Sequence, residues 1–156
     1  MIKAEIYLIN LKIMIFKRKA SDFMTGAVIV ANVNNSYDQV MEFFTTYKIQ
    51  HLPVTDDDRL IGIISVNDML NFISDIIKED ISISHFNLNK KFKVSEIMTA
   101  DPITVEPDSS QKEVLEILAQ GKFQAVPVVS EGIIRGIITN KDITRIYNYD
   151  ATHILP

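Results

Sequence analysis

The chain of 156 residues has no cysteine, no tryptophan, and only three histidines, five glycines and five prolines. Without cysteine there is no disulfide framework, no thiolate nucleophile and no zinc–thiolate cluster, which agrees with a reducing, cytoplasmic setting. His51, His85 and His153 stand in unrelated contexts, and no His-x-x-x-His pair occurs. Neither a Gly-x-Gly-x-x-Gly fingerprint nor a phosphate loop ending in Gly-Lys-Ser/Thr is found. No nucleophile is matched to a base, so the chain is not expected to be an enzyme. Excess positive charge is also lacking: 16 basic against 20 acidic residues leave −4, which offers no broad field to a nucleic-acid backbone. Long apolar runs are missing as well. Residues 1–16 are rich in Ile, Leu and Met, but Lys3, Glu5, Asn10 and Lys12 interrupt them long before the roughly 20 residues that a spanning helix needs. Their order of charges does not match a secretory signal. Residues 1–18 are therefore read as an N-terminal extension, either a strand or helix packing on the body or a second copy, or a loose leader, since Met14 can itself serve as a start.

What is present is a repeat. Slid against itself by 74 positions, residues 19–73 match 93–147 without a gap and with 16 identities in 55 positions, where chance gives roughly three or four. The identities include Met24/Met98, Thr25/Thr99, Ile29/Ile103, Ser36/Ser110, Gln50/Gln124, Pro53/Pro127, Gly62/Gly136 and Asp68/Asp142. The chain thus divides into an extension (1–18), a first repeat (19–77), a polar linker (78–92), a second repeat (93–149) and a tail (150–156).

Each repeat reads the same way. Ser21-Asp22-Phe23-Met24-Thr25 and Ser95-Glu96-Ile97-Met98-Thr99 predict a helical turn with Ser as N-cap and an acid in the first turn. Strands are expected at Ala27-Val28-Ile29-Val30 and Ile103-Thr104-Val105. Ser36 with Gln39, and Ser110 with Glu113, have capping-box spacing and start a helix whose apolar face is Val40, Met41, Phe44 and Tyr47, or Val114, Leu115, Leu118 and Ala119. Two β-branched strands follow, Leu52–Thr55 with Leu60–Ile64 and Val126–Val129 with Ile133–Ile138, and then a closing helix. Between the strands, Asp56-Asp57-Asp58 has the look of a metal loop, but its copy Ser130-Glu131-Gly132 loses most of the carboxylates, so a turn is the better reading. The predicted class is α/β: two β-α-β-β-α repeats, each too small to bury much alone, packed around a pseudo-twofold axis.

Met-Thr near the start, Leu-Pro-Val or Val-Pro-Val in the middle, and Gly-Ile-Ile-Ser-Val-Asn-Asp or Gly-Ile-Ile-Thr-Asn-Lys-Asp before the last helix, duplicated at one offset, resemble the CBS domain in its paired arrangement, the Bateman module. The resemblance covers residues 19–147. It implies clefts between the copies that bind AMP, ADP, ATP or S-adenosylmethionine as a regulatory ligand, with no resident cofactor, and the regulation of another protein. With the chain filled by the pair, that regulation is expected in trans on an unidentified partner, and association through helices implies a homodimer.

The residues that would carry ligand binding follow. Where a strand ends and a helix begins, unpaired N–H groups and the helix dipole favour a phosphate, and Ser65 and Thr139 add hydroxyls. Asp68 and Asp142 in the first turn can accept hydrogen bonds from a ribose diol, or can simply complement the helix dipole. The resemblance implies adenine contacts by Thr25 with Ile29 and by Thr99 with Ile103. It implies phosphate contacts from the residues before Leu-Pro or Val-Pro, here Gln50-His51 and Gln124-Ala125. Lys141 is a stronger phosphate candidate than its counterpart Asn67, so the two clefts are expected to be unequal, with the one using Asp142 the tighter. A dimerisation or docking module with vestigial clefts is the alternative. Nucleic-acid binding through Lys17-Arg18-Lys19 and Lys90-Lys91-Lys93 is not expected, these being read as solvated entry segments.

Overall fold

The structure, a computed structural model, describes residues 17–79 and 84–153. The expectations for residues 1–16 and for the end of the tail lie outside them. The chain forms two compact units: a continuous one, Ile29–Pro102, and a split one that joins Ile103–Pro156 to the segment ending at Val28.

In the continuous unit, β1 (Ala31–Asn32) runs parallel to β2 (His51–Asp56), which turns back antiparallel into β3 (Arg59–Ser65). Between β1 and β2 lies α1 (Tyr37–Tyr47), and β3 leads straight into α2 (Val66–Lys78). The short helices α3 (His85–Lys91) and α4 (Val94–Ile97) then bring in β4 (Thr99–Ala100), antiparallel to β3. The predicted capping box at α1 is formed: Ser36 Oγ accepts from the Gln39 N–H at 3.3 Å, and Gln39 Oε1 accepts from the Ser36 N–H at 3.0 Å. The apolar face that it positions, Val40 and Phe44, is buried with Leu52, Val54, Ile64 and Met69. Each such side chain contributes about 1.5–3 kcal/mol.

The split unit repeats this plan. A single 3₁₀ turn (Ala20–Asp22) precedes α5 (Gln111–Ala119), β5 (Ala125–Ser130), β6 (Ile133–Thr139) and α6 (Asn140–His153). Ser110 caps α5 by accepting from the Glu113 N–H at 3.2 Å. Val105 bridges β5 in parallel at Val128, β5 pairs antiparallel with β6, and Thr25 bridges β6 antiparallel at Ile137. Val114, Val126, Val128 and Ile138 form its core.

The units therefore exchange the turns that open the repeats. Thr25, from the start of the first repeat, pairs with Ile137: its N–H reaches the Ile137 carbonyl at 2.9 Å and its carbonyl accepts from the Ile137 N–H at 3.0 Å. Thr99, from the start of the second, pairs with Ile63. The duplicated glycines are the receiving surface. A Cβ on Gly136 would collide with the Met24 side chain, and one on Gly62 with Met98.

Several local expectations are corrected. Ser21 and Ser95 lie inside their turns, not at the caps, which fall on Lys19 and Lys93. In the first turn the Lys19 N–H is held by the Asp22 carboxylate at 2.8 Å. Residues 27–30 form no strand; the pairing starts at Ala31, the first position that meets β2 in register. The linker is not only polar spacer, because Leu88 of α3 and the following Phe92 are buried in the continuous unit. The Asp57-Asp58 segment is the hairpin turn, with Asp57 at φ 49°, matched by Glu131 at 55° and Gly132 at 82°.

Candidate functional site

Both units place their acidic residue at a strand-to-helix corner. Ser65 ends β3 and caps α2. The Asp68 Oδ2 accepts from the Ser65 N–H at 2.7 Å and from the Ser65 hydroxyl at 2.6 Å. In the split unit Asp142 Oδ2 accepts from the Thr139 N–H at 2.8 Å and its hydroxyl at 2.7 Å. One oxygen of each carboxylate thus closes the cap, and the chemistry left for a ligand belongs to Oδ1.

There the corners part. Asp142 Oδ1 accepts from the Thr25 hydroxyl at 3.2 Å and from Arg145 Nη2 at 2.9 Å. A carboxylate offers about four acceptor positions, and all of them are taken in Asp142, whose side chain is only 5% exposed. On Asp68 Oδ1 no hydrogen bond is formed among the described residues. The position matching Arg145 is Asn71, and Thr99, the match of Thr25, does not bond Asp68.

The other predicted residues gather by unit. In the continuous unit His51 is the register partner of Ser65, the Gln50 carbonyl accepts from the Val66 N–H at 3.1 Å, and Ile29 is half-buried against the core. Burial lowers the His51 pKa from its ordinary value, opposed by the Asp68 charge. In the split unit Ala125 faces Thr139, the Gln124 carbonyl accepts from the Asn140 N–H at 3.4 Å, and Lys141 is exposed. The first N–H of each closing helix is thereby occupied by a glutamine carbonyl, so the helix starts are less open to a phosphate than bare amides. Thr25 belongs to the split unit with Ile103 and Asp142, while Ile29 belongs with Thr99 and Asp68.

Sequence reasoning missed Arg145. The signal was the Arg145/Asn71 difference at the repeat offset, three residues past the Asp142/Asp68 pair. Arg18 is a correction: it is no solvated entry residue but donates to both carboxylate oxygens of Asp150, at 2.7 and 2.6 Å, and that hydrogen bonding raises its pKa. Of the second basic cluster, Lys91 pairs with Glu79 and Lys93 with Glu96. No helix among the described residues is long and apolar enough to cross a membrane.

With this geometry in place, the comparisons are specific. The family model for the CBS domain matches twice, at residues 20–75 and 94–149. The inosine-5'-monophosphate dehydrogenase of Korarchaeum cryptofilum (strain OPF8) is 31% identical over 127 residues, 81% of this chain but only 24% of that protein's length. Among solved structures, CBSX2 in complex with AMP aligns at TM-score 0.69 and 27% identity, covering 84% of this chain and 96% of its own. The CBS domain pair of protein MJ0100, in complex with 5'-methylthioadenosine and S-adenosyl-L-methionine, aligns at TM-score 0.70 and 26% identity, covering 83% and 99%.

Proposed function

The chain belongs to the CBS-domain family, and from that premise we propose that it is a regulatory module, not a catalyst, that binds an adenosine-type ligand and signals occupancy to an unidentified protein in trans. AMP is the foremost ligand, with ADP, ATP and S-adenosylmethionine as the other candidates. The observation that carries this reading is the corner at Asp68. Its cap uses one carboxylate oxygen and leaves the other, with two acceptor positions, for the two hydroxyls of a ribose. The relatives solved with AMP and with 5'-methylthioadenosine and S-adenosyl-L-methionine support the choice of ligand. On this reading Thr99 and Ile29 receive the adenine beside Asp68, and Thr25 and Ile103 beside Asp142. Gln50 and His51 face the phosphate in the continuous unit, and Gln124 and Lys141 in the split one.

A thermal-shift series with AMP, ADP, ATP, NADH and S-adenosylmethionine tests the proposal. A ligand at 100 times its dissociation constant adds about 2.7 kcal/mol, and Asp68→Ala is expected to reduce the AMP response by removing the contribution of that corner. No response to any of the five would leave the second reading, a dimerisation or docking module with vestigial corners. That reading draws support from the saturation of Asp142. Under either reading the chain is taken to act in the cytoplasm as a homodimer, and the exposed apolar residues Leu70 and Ile77 on α2 and Tyr147 and Tyr149 on α6 support the dimer.

A further inference from the structure

The acceptor count separates two corners that repeat symmetry makes equivalent. Asp142 is 4% exposed and has four donors: two from Thr139, one from Thr25 and one from Arg145. A ribose diol can take Oδ1 only by displacing the last two. Thr25 is exposed and has water as an alternative partner. The arginine is the harder matter, because a buried carboxylate that loses its cation is strongly disfavoured unless the charge is restored. Arg145 is more than half exposed and sits one turn into α6 from Asn140, with Lys141 on the first turn of the same helix. Its guanidinium also reaches the Phe23 carbonyl at 3.4 Å, so it ties the exchanged turn to the helix start. The continuous unit carries Asn67 and Asn71 at the positions of Lys141 and Arg145.

We propose that Arg145 is the specificity-determining residue of the split unit: it blocks Asp142 against uncharged adenosine-type ligands and yields it to those that carry a phosphate. A phosphate gives the displaced planar guanidinium a bidentate partner of its own and shares the site's second cation, Lys141. Adenosine, which has no anionic group, supplies no such partner. The Asp68 corner, with two amides where the split unit has two cations, makes no such demand and accepts either class. The two units thus report on different ligands: the continuous unit on adenosine-type molecules in general, the split unit on phosphorylated ones. This inference rests on the adenosine reading above.

Calorimetric titration of the full chain with AMP and with adenosine tests it, each corner being isolated by silencing the other. In the Asp68→Ala chain, where only Asp142 remains, AMP is expected to bind at least about 10-fold tighter than adenosine, the value of one charge-assisted hydrogen bond. Adding Arg145→Gln is expected to bring the two within about 3-fold of each other, by weakening AMP and strengthening adenosine, while Arg145→Lys keeps part of the preference. A merely structural role for Arg145 would weaken both ligands together and leave their ratio unchanged, and that result overturns the proposal. So does an equal preference for AMP in the Asp142→Ala chain, where Asp68 acts alone. If Asp68→Ala does not fold, Asp68→Asn serves in its place. Absence of binding by either ligand to the unaltered chain would overturn the adenosine reading itself, and this outcome is distinct from an Arg145-independent ratio.

Discussion

The two units close the same place in the fold by opposite chemistry. In the continuous unit Tyr37, Phe72 and Phe92 meet ring to ring, with centroids 5.4 to 6.0 Å apart, and Ile76 is buried in the same cluster. Shifted by 74 positions, Phe92 becomes Arg18, Ile76 becomes Asp150 and Tyr37 becomes Gln111. The aromatic plug of one unit is a bidentate ion pair in the other, with side chains 19% and 11% exposed. Beside it Gln111 is buried, its N–H on the Arg18 carbonyl at 2.8 Å and its Oε1 without a partner among the described residues. An aromatic cluster gains from area and edge-to-face contact, whereas a buried ion pair must first offset the desolvation of both charges. The same backbone tolerates both, so the polar solution is not required by the fold.

Substitution can break this contrast. Phe92→Ala is expected to cost about 4 kcal/mol by opening a cavity. Asp150→Ile, which strands Arg18, is expected to cost about 3 kcal/mol. Converting the whole set in the split unit, Arg18→Phe with Gln111→Tyr and Asp150→Ile, should return stability to within about 1 kcal/mol of the starting chain or above it. Urea denaturation reads all three, and a triple variant as unstable as Asp150→Ile alone would show that the ion pair does something the rings cannot replace.

A smaller effect tests what the units share. Gly136→Val and Gly62→Val each force a side chain into the space of the exchanged methionine, with an expected cost of about 2 kcal/mol. Pairing Gly136→Val with Met24→Ala should recover part of that loss. A double variant that is simply the sum of two losses would argue against the contact.

The smallest effect distinguishes His51 from Ala125. Because burial holds the folded imidazole below its ordinary value, the unfolded chain takes up a proton first as pH falls through about 6.5. Stability is lost in the window from there down to the folded value, and His51 contributes no pH dependence above it. The His51→Ala chain, made like its second copy, should lose less stability between about pH 7 and about pH 5.5. Superimposable pH profiles for the two chains would contradict this.

The order of elements, the Ser36 capping box, the Ser110 cap and the acids at the two corners were legible because they depend on residues within a few positions of each other. Ser36 and Gln39 are three apart, as are Ser65 and Asp68. What was not legible spans the chain. The Arg18–Asp150 pair is separated by 132 positions and the Thr25–Asp142 bond by 117, and no periodicity announces either. The misplaced strand at residues 27–30 has the same cause. Its β-branched residues fit a strand, but the register that would admit them is set by β2, and it opens at Ala31.

The exchanged turns also set a timetable. All of the continuous unit has been synthesised once Pro102 is added, whereas residues 18–25 emerge early and have to wait for a partner as distant as Asp150. At about 5–20 residues per second, that interval is on the order of ten seconds. A gene duplication joined two copies end to end, yet the product is not two proteins in series. One body is made in a single stretch, and the other is begun before it and finished after it.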